Sequence, residues 1–372
     1  MIETGGLRRT PTAATRSNHV TRRGAALGLL GLGAVVGLSP LRVARAAARE
    51  RDSLSAADWR AFAARFIAAD GRVIDTGNGG CSHSEGQGYG LLFAEHFDDR
   101  ATFDSVLRWT RRVLRRPDDA LHAWRFRPDA AVPVDDPNNA TDGDLLIALA
   151  LLRAGARWDK PDYTDLGRDI GRDLLGKCVR SAAGLTVLLP GAYGFDNPGR
   201  VVVNPSYYVF PALRALAQAL PHPAWGALQA DGVRLLRLGR FGRWQLPADW
   251  LEIKDDTLSP AREWPTRFSW DAVRVPLNLV WGGLAAEPAV AAAAGFWVRA
   301  TGACRPAWAD LADDSVARYP ASHGVNAVAA LIRVRHSESE RPPRVSEAED
   351  YYSAALVLLS GQVARELSRP AG

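Results

Sequence analysis

The sequence contains little sulfur and no cysteine pattern typical of a metal site. It has three cysteines and one methionine in 372 residues. Cys81, Cys178 and Cys304 are too widely spaced for a zinc motif. Because their number is odd, at least one thiol is unpaired, and a disulfide between Cys178 and Cys304 stays open. We expect neither a metal nor a cofactor.

The mature chain also lacks surplus positive charge. The net charge is +5 and the isoelectric point is about 9.3. Residues 1–48 alone carry seven arginines against one acid, which leaves about −1 for the remainder. A nearly neutral protein has no electrostatic basis for binding nucleic acid.

This arginine-rich segment has the layout of an export signal. Arg22-Arg23 precedes an apolar run at 25–38, and small residues at 44–48 resemble a cleavage site. The run is shorter than the roughly 20 residues of a membrane span, so cleavage is favoured over anchoring. The arginine pair indicates the twin-arginine route. We expect a signal peptide at 1–48, a single domain at 49–372, and a periplasmic or secreted protein that keeps no membrane span.

The remaining chain reads as helical. About eleven segments between residues 53 and 367 carry apolar side chains at three- and four-residue spacing. Strand-like alternation is brief, at 185–189 and 201–203, and residues 116–139 form a proline-containing irregular stretch. Since strands and helices do not alternate, the pattern predicts a large all-α fold.

One candidate for chemistry is Glu85, which lies between hydroxyl residues and glycines at a predicted helix start. Glycine lets backbone or ligand approach closely. The structural alternative is a capping box, in which Ser82 and Glu85 satisfy the first amides of the helix.

Two further acids begin apolar helical runs. Asp142 ends an Asp/Asn-rich stretch at 135–144. It could instead cap its helix, or the stretch could bind calcium, although it does not fit an EF-hand loop. Asp271 is followed three residues later by Arg274, and a simple ion pair on one helix face is the alternative there.

Tryptophans occur close to these acids. Trp124, Trp250, Trp264 and Trp270 lie near or between the acidic stretches. Sugars stack their C–H faces on indole rings, but a tryptophan is more often part of a core. Trp124 and Trp264 occupy loops with proline and arginine, so they are the better candidates for sugar contacts.

Several segments resemble glycoside hydrolase family 8. Ala140-Thr141-Asp142-Gly143-Asp144-Leu145-Leu146-Ile147-Ala148 is similar to the family signature. Residues 84–90, 204–207 and 269–276 resemble three further family segments in the expected order. One departure is Trp270, where tyrosine is usual.

The resemblance implies a fold and an activity. The family folds as an (α/α)6 barrel, here of about 11–12 helices, with irregular loops that form a substrate cleft. Its members invert configuration while cutting β-1,4-glucans or, in some cases, xylan, chitosan or mixed-linkage glucan. The chain is most similar to members encoded with bacterial cellulose synthases. That implies β-1,4-glucan as substrate and the cellulose synthase export machinery as a candidate partner.

The resemblance also implies roles. Glu85 corresponds to the proton donor and Asp271 to the base that activates water. Asp142 is expected to hold the sugar and to stabilise developing positive charge, since inversion needs no enzyme nucleophile. Four further residues are expected to contact substrate: Trp124, Tyr207, Arg274 and Tyr89.

These roles create an electrostatic conflict. All three carboxylates are expected near helix N-termini, where the dipole favours the ionised form. That suits a base, but a general acid must be protonated. We therefore expect either a neighbouring like charge, that of Asp142, or a partly apolar pocket to raise the pKa of Glu85.

Two other functions stay open. One is a chitosanase or xylanase on the same barrel. Arg125, Arg127, Arg262 and Arg267 flank the candidate carboxylates and favour a neutral glucan over cationic chitosan. The other is a non-catalytic glucan-binding partner of a cellulose synthase, which would have no need of Glu85.

The export signal gives a direct prediction. The mature N-terminus should lie within residues 46–50, and Arg22→Lys combined with Arg23→Lys should block export. Cell fractionation and N-terminal sequencing measure both. Uncleaved, cytoplasmic protein in unmutated cells would contradict the prediction.

Overall fold

The computed structural model describes residues 54–299, 304–333 and 341–368. The predicted signal segment lies outside these residues. The described residues contain eleven α-helices. They are α1 (Ala56–Phe66), α2 (Ser84–His96), α3 (Arg100–Val113), α4 (Thr141–Trp158), α5 (Pro161–Cys178), α6 (Phe210–Ala219), α7 (Pro223–Leu238), α8 (Arg274–Trp281), α9 (Pro288–Arg299), α10 (His323–Arg333) and α11 (Tyr351–Ser368).

Six of these helices form a closed inner ring. Each packs against the next in the order α2, α4, α6, α8, α10, α11, and α11 returns to α2. The helices α3, α5, α7 and α9 each pack outside the inner helix that precedes them. The predicted (α/α)6 barrel is confirmed. None of the described helices is long and apolar enough to cross a membrane.

Burial follows this layering. In the inner helix α2, every residue from Gly86 to Glu95 is buried. The outer helix α5 buries only a stripe at Gly167, Ile170, Gly171, Leu174 and Cys178. That spacing is typical of a helix with one face on a core.

Twelve short strands lie in the connections. They are β1 (Ser82–His83), β2 (Arg125–Phe126), β3 (Val179–Ala182), β4 (Leu185–Leu188), β5 (Asp196–Asn197), β6 (Arg200–Val203), β7 (Arg240–Phe241), β8 (Leu246–Pro247), β9 (Leu251–Lys254), β10 (Thr257–Pro260), β11 (Arg267–Phe268) and β12 (Ala309–Asp310). The strands expected near 185–189 and 201–203 are present. Those between 240 and 268 were not predicted; β7, β8 and β11 contain only two residues each, too few to show alternation.

The four-stranded sheet is antiparallel throughout, in the order β10-β9-β6-β5. It continues directly from the connection that carries Asp249 and Trp250, since β9 begins at Leu251.

Two predicted helices are shorter than the sequence pattern suggested, and proline explains both. A helix was expected from Trp270 to Leu284, but α8 begins at Arg274 and places Pro276 in its first turn. A start at Trp270 would have put Pro276 in the interior, where its ring clashes with the carbonyl one turn earlier. The expected helix 205–220 likewise splits into a 3₁₀ turn, Pro205–Tyr207, and α6.

Glycine permits a very close contact between α2 and α4. A Cβ added to Gly143 would lie 2.2 Å from Ser84 Oγ and 2.6 Å from the amide nitrogen of Glu85. Across the same contact, a Cβ on Gly88 would lie 2.7 Å from Leu146 Cβ. Because Gly143 follows Asp142, this contact brings Asp142 and Glu85 together.

Gly143→Ala should therefore separate the starts of α2 and α4. We expect a loss of about 1–3 kcal/mol in unfolding free energy, as for other overpacked cores, and a fall in kcat of about a hundredfold from misplaced carboxylates. Denaturant unfolding and steady-state kinetics measure these changes.

The matched control is Gly226→Ala in the outer helix α7, where an added Cβ meets nothing within 4 Å. It should leave kcat unchanged and raise stability slightly. Equal behaviour of the two variants would contradict the proposed role of the Gly143 contact.

Candidate active site

The three sequence-predicted carboxylates meet on a single buried arginine. Arg274 Nη1 donates to Asp142 Oδ2 at 2.9 Å and also contacts Glu85 Oε1. Its Nη2 donates to Asp271 Oδ1 at 2.7 Å. The expected Asp271–Arg274 pair exists, but it is one part of a larger cluster assembled from three distant parts of the chain.

Glu85 is available for this cluster because it does not cap its helix. Helix α2 begins at Ser84 with His83 as N-cap, and His83 makes no side-chain capping bond. The Ser82 hydroxyl is buried without a hydrogen-bond partner among the described residues. The capping-box alternative is therefore wrong, and Glu85 points to Arg274 instead.

Asp142 is the second residue of α4, so Ala140 rather than Asp142 is the N-cap. Its Oδ1 accepts the Gly143 amide at 2.8 Å, while Oδ2 contacts Arg274. The side chain is almost completely buried. Burial raises the pKa of Asp142 to about 7, and the charge of Asp144 acts in the same direction.

A buried hydrogen-bond network that was not predicted lies next to Asp142 and is centred on Asp144. Asp144 Oδ1 accepts the backbone amide of His122 at 3.0 Å and lies 2.9 Å from its Nδ1. Asp144 Oδ2 accepts the side-chain amide of Asn139 at 3.0 Å. These bonds fix the segments on both sides of Asp142. Asp144 is part of the signature sequence, but its neighbours give no hint of this partnership.

The other acids of the 135–144 stretch are also engaged. Asp135 pairs with Arg127, and Asp136 accepts the indole N–H of Trp124 at 2.9 Å. Among the described residues, no group of three or more His, Cys, Asp or Glu is arranged to hold a metal ion. The acids are therefore distributed over separate contacts, an arrangement that does not match the calcium alternative.

Asp271 lies in a turn three residues before α8, not at the helix start as expected. The turn is fixed by Asp249, which accepts the amides of Ser269 at 2.9 Å and Ala272 at 2.8 Å. Trp250 Nε1 donates to Asp271 Oδ2 at 3.1 Å. Neither partner was predicted as part of the site, because a carboxylate that binds backbone amides has no sequence signature.

The surroundings make Asp271 a stronger base than an ordinary aspartate. Desolvation, followed by the negative charges of Asp249 and Asp142, raises the pKa of Asp271 well above its usual value. The side chain nevertheless keeps 27% of its surface exposed, so water can reach it.

Comparison with known proteins shows which family the chain belongs to. The profile of glycosyl hydrolases family 8 matches residues 36–366. The chain belongs to glycoside hydrolase family 8. It is 45% identical to a probable endoglucanase of Novacetimonas hansenii over 306 residues, 82% of this chain and 89% of that protein. It is 41% identical to an endoglucanase of Cellulomonas uda over 275 residues, 73% of this chain and 76% of that one.

A solved structure agrees with this assignment. The endo-beta-1,4-glucanase CMCax of Acetobacter xylinum superposes with a TM-score of 0.80 at 44% identity, covering 84% of this chain and 98% of that one. The inner ring of helices is therefore the family 8 barrel.

Two of the residues expected to contact substrate, Tyr207 and Tyr89, lie beside the Arg274 cluster of this family 8 protein. Tyr207 places its ring 5.9 Å from the Arg274 guanidinium carbon. Tyr89 is one turn along α2 from Glu85, on the same helix face, and is buried. The charges of Asp142 and Asp271 help to raise the pKa of both phenols, after burial, so both stay neutral.

The tryptophans divide into different roles. Trp124 is partly buried, and Arg125 covers one ring face at 4.3 Å. Trp250 stacks on Trp264 at 4.3 Å and faces Phe195 at 5.9 Å, so its ring is enclosed. Trp270 is 57% exposed next to Asp271.

The three cysteines are free thiols: Cys81 and Cys178 are buried and Cys304 is exposed. The Cys178–Cys304 disulfide that the sequence left open is not formed.

Asp249→Asn tests the electrostatics around Asp271. The family resemblance gives Asp271 the role of base, and a base acts only when deprotonated, so we expect activity to be lost as pH falls through the raised pKa of Asp271. Removing the charge of Asp249 lowers that pKa, and the acid limb of kcat/KM should move to lower pH. Asparagine keeps an oxygen that accepts the two backbone amides, so the turn should persist.

Glu252→Gln is the control, since Glu252 is equally buried but pairs with Arg200. Its acid limb should stay where it is in the unmodified enzyme. An unmoved acid limb in Asp249→Asn would show that Asp249 does not tune the base.

Proposed function

We propose that this chain is an endo-acting glycoside hydrolase that cleaves β-1,4-glucan with inversion of configuration. The observation that carries the proposal is the convergence of Glu85, Asp142 and Asp271 on Arg274. The named relatives add the substrate class, since two of them are described as endoglucanases and the solved structure as an endo-beta-1,4-glucanase.

The proposed roles follow from the contacts. Asp271 is the base: it is partly exposed, held by Trp250, and made more basic by its neighbours. Glu85 donates the proton to the leaving oxygen. Asp142, which is almost fully buried and shares Nη1 of Arg274 with Glu85, holds the sugar and stabilises its developing positive charge.

Inversion of configuration, rather than retention, is the stereochemistry that the family resemblance implies. An inverting pair needs about 6.5–9.5 Å between carboxyl groups to admit water, whereas a retaining pair lies about 5–5.5 Å apart. Glu85 and Asp271 contact different terminal nitrogens of Arg274. The two carboxyl groups are therefore both held by the arginine, and we propose that their separation falls in the range of an inverting pair.

The same contact sets a condition on catalysis. An adjacent guanidinium favours the ionised form of a carboxyl group, and Glu85 must be protonated to act as an acid. Substrate must therefore separate Glu85 from Arg274. Asp142 contacts the same nitrogen of Arg274, so it is placed to favour protonation of Glu85 once that contact opens.

Neutral glucan remains the preferred substrate over chitosan or xylan. The arginines that flank the carboxylates, however, no longer support this preference. The arginines that favoured a neutral polymer are all paired. Arg125 and Arg127 lie against Asp135, Arg262 against Glu252 and Arg267 against Asp310. The endoglucanase relatives now carry this preference. A non-catalytic glucan binder is disfavoured because it would have no use for Glu85.

The proposed location is the periplasm or the cell exterior, reached through the Arg22-Arg23 signal. Within that location we propose a role alongside cellulose synthesis, with the cellulose synthase export machinery as partner. The support is the export-type leader and the likeness to the Acetobacter enzyme.

The test is cleavage of carboxymethylcellulose, chitosan, lichenan and xylan in parallel, scored by reducing ends. Carboxymethylcellulose should be cut with a rapid fall in viscosity, as endo-action requires. Glu85→Gln and Asp271→Asn should each remove nearly all activity. Glu85→Gln should still bind glucan, because it loses only the transferable proton.

Glu263→Gln, an exposed carboxylate paired with Arg200, is the control and should keep full activity. Full activity in Asp271→Asn, or preferred cleavage of chitosan, would overturn the proposal.

A further inference from the structure

An aromatic surface away from the carboxylates has the construction of a sugar-binding platform. It consists of Trp308 and Tyr319, which lie on two segments bridged at Pro306–Pro320 and at Ala309–Val316. Trp308 Nε1 donates to the Tyr319 hydroxyl at 3.0 Å. The two rings are thus fixed relative to each other by backbone and by side chain.

A cation also packs against one face of the Trp308 ring. The Arg267 guanidinium lies 4.1 Å from its ring centroid. No other aromatic ring or cation packs on Trp308 among the described residues, in contrast to Trp250, which has rings against it on two sides. Trp308 is half-buried, and the second face of its indole carries neither a ring nor a cation among these residues.

Tyr319 adds a polar group to this face. Its side chain is 52% exposed. Since its oxygen accepts the indole N–H, the phenolic hydrogen is still available to donate. An indole face that no ring or cation covers, beside a hydroxyl donor, suits a pyranose ring, which offers an apolar C–H face and equatorial hydroxyl groups.

Strand pairing connects this surface to the proposed base. β11 and β12 are antiparallel, with Phe268 opposite Ala309. One position further, the register brings Trp308 opposite Ser269, two residues before Asp271. With about 4.8 Å between strands and about 3.3 Å per residue, the backbone of Trp308 lies on the order of 10 Å from that of Asp271.

The alternation of side chains along β11 and β12 places Trp308 on the solvent-facing side of this strand pair. Phe268 and Ala309 are buried. Their neighbours Arg267 and Trp308 therefore point to the opposite, solvent-facing side.

We propose that Trp308 and Tyr319 form a distal binding site for a β-1,4-glucan chain, beyond the sugars held at the carboxylates. The site rests on the proposed glucanase function and extends it to long chains. Since the platform lies on the order of 10 Å from Asp271, we expect a polymer to reach it while its scissile bond lies at Asp271, and a substrate with a single sugar beyond that bond to end before it.

The test compares kinetics on carboxymethylcellulose with kinetics on the shortest cello-oligosaccharide that the enzyme cleaves. Trp308→Ala and Tyr319→Ala should each raise KM for the polymer by about tenfold, the loss of one aromatic anchor. The value of kcat should stay within about twofold, and the short substrate should be unaffected. Trp308→Phe keeps a stacking ring and should lie between the unmodified enzyme and Trp308→Ala.

Leu238→Ala is the control, because Leu238 is an apolar side chain of 65% exposure at the end of the outer helix α7. It should change neither substrate's kinetics. Thermal melting accompanies each variant, and Tyr319→Ala keeps the test decisive if Trp308→Ala unfolds the loop.

Equal changes for the polymer and the short substrate, or no change for either, would overturn the platform. An unmodified enzyme that cleaves neither substrate would instead contradict the proposed function.

Discussion

The site depends on one buried cation. Arg274 is 5% exposed, and an isolated charge at such depth would be strongly unfavourable. Its partners are the carboxylates of Glu85, Asp142 and Asp271, which would repel one another without it. The arginine therefore compensates the charge of the carboxylates, and the carboxylates compensate the charge of the arginine. Removing one partner of a buried charge cluster is costly, because the remaining charges lose their compensation.

The barrel is what allows this cluster to form. Glu85 and Asp142 begin the neighbouring inner helices α2 and α4, and Arg274 begins the inner helix α8. The starts of α2 and α4 approach so closely that Gly143 has no room for a side chain. Asp271 is held separately, by Asp249 and Trp250 in the connection before β9. Rigid helices thus place Glu85 and Asp142, and a fixed turn places Asp271.

Long periodic segments made the fold predictable. The helical pattern gave the number and type of helices, and the family resemblance supplied the barrel. The errors in the predicted helix boundaries have local causes. Pro276 and Pro211 lie inside apolar patterns that look continuous, and each forces a helix to begin later. Of the strands on either side of Asp249, β8 contains only two residues, too few to show a period.

The candidate site was predicted only in part. Glu85, Asp142 and Asp271 stood out because each precedes an apolar run within a recognisable motif. Arg274 was visible as a neighbour of Asp271, but its contacts with Glu85 and Asp142 join residues that are far apart in sequence. Asp249 left no signal, because backbone amides of any residue can serve as its donors. Such contacts are set by tertiary packing, which a single sequence does not display.

We propose that Glu85 and Asp271, which contact different nitrogens of Arg274, act as acid and base with a water molecule between the sugar and Asp271. The most direct measurement is the anomeric form of the first product, followed by proton NMR during cleavage of a β-1,4-linked cello-oligosaccharide. Direct attack by water on the β-linkage predicts that the α-anomer appears first and then mutarotates. A β-anomer appearing first would mean a covalent intermediate and would contradict this account.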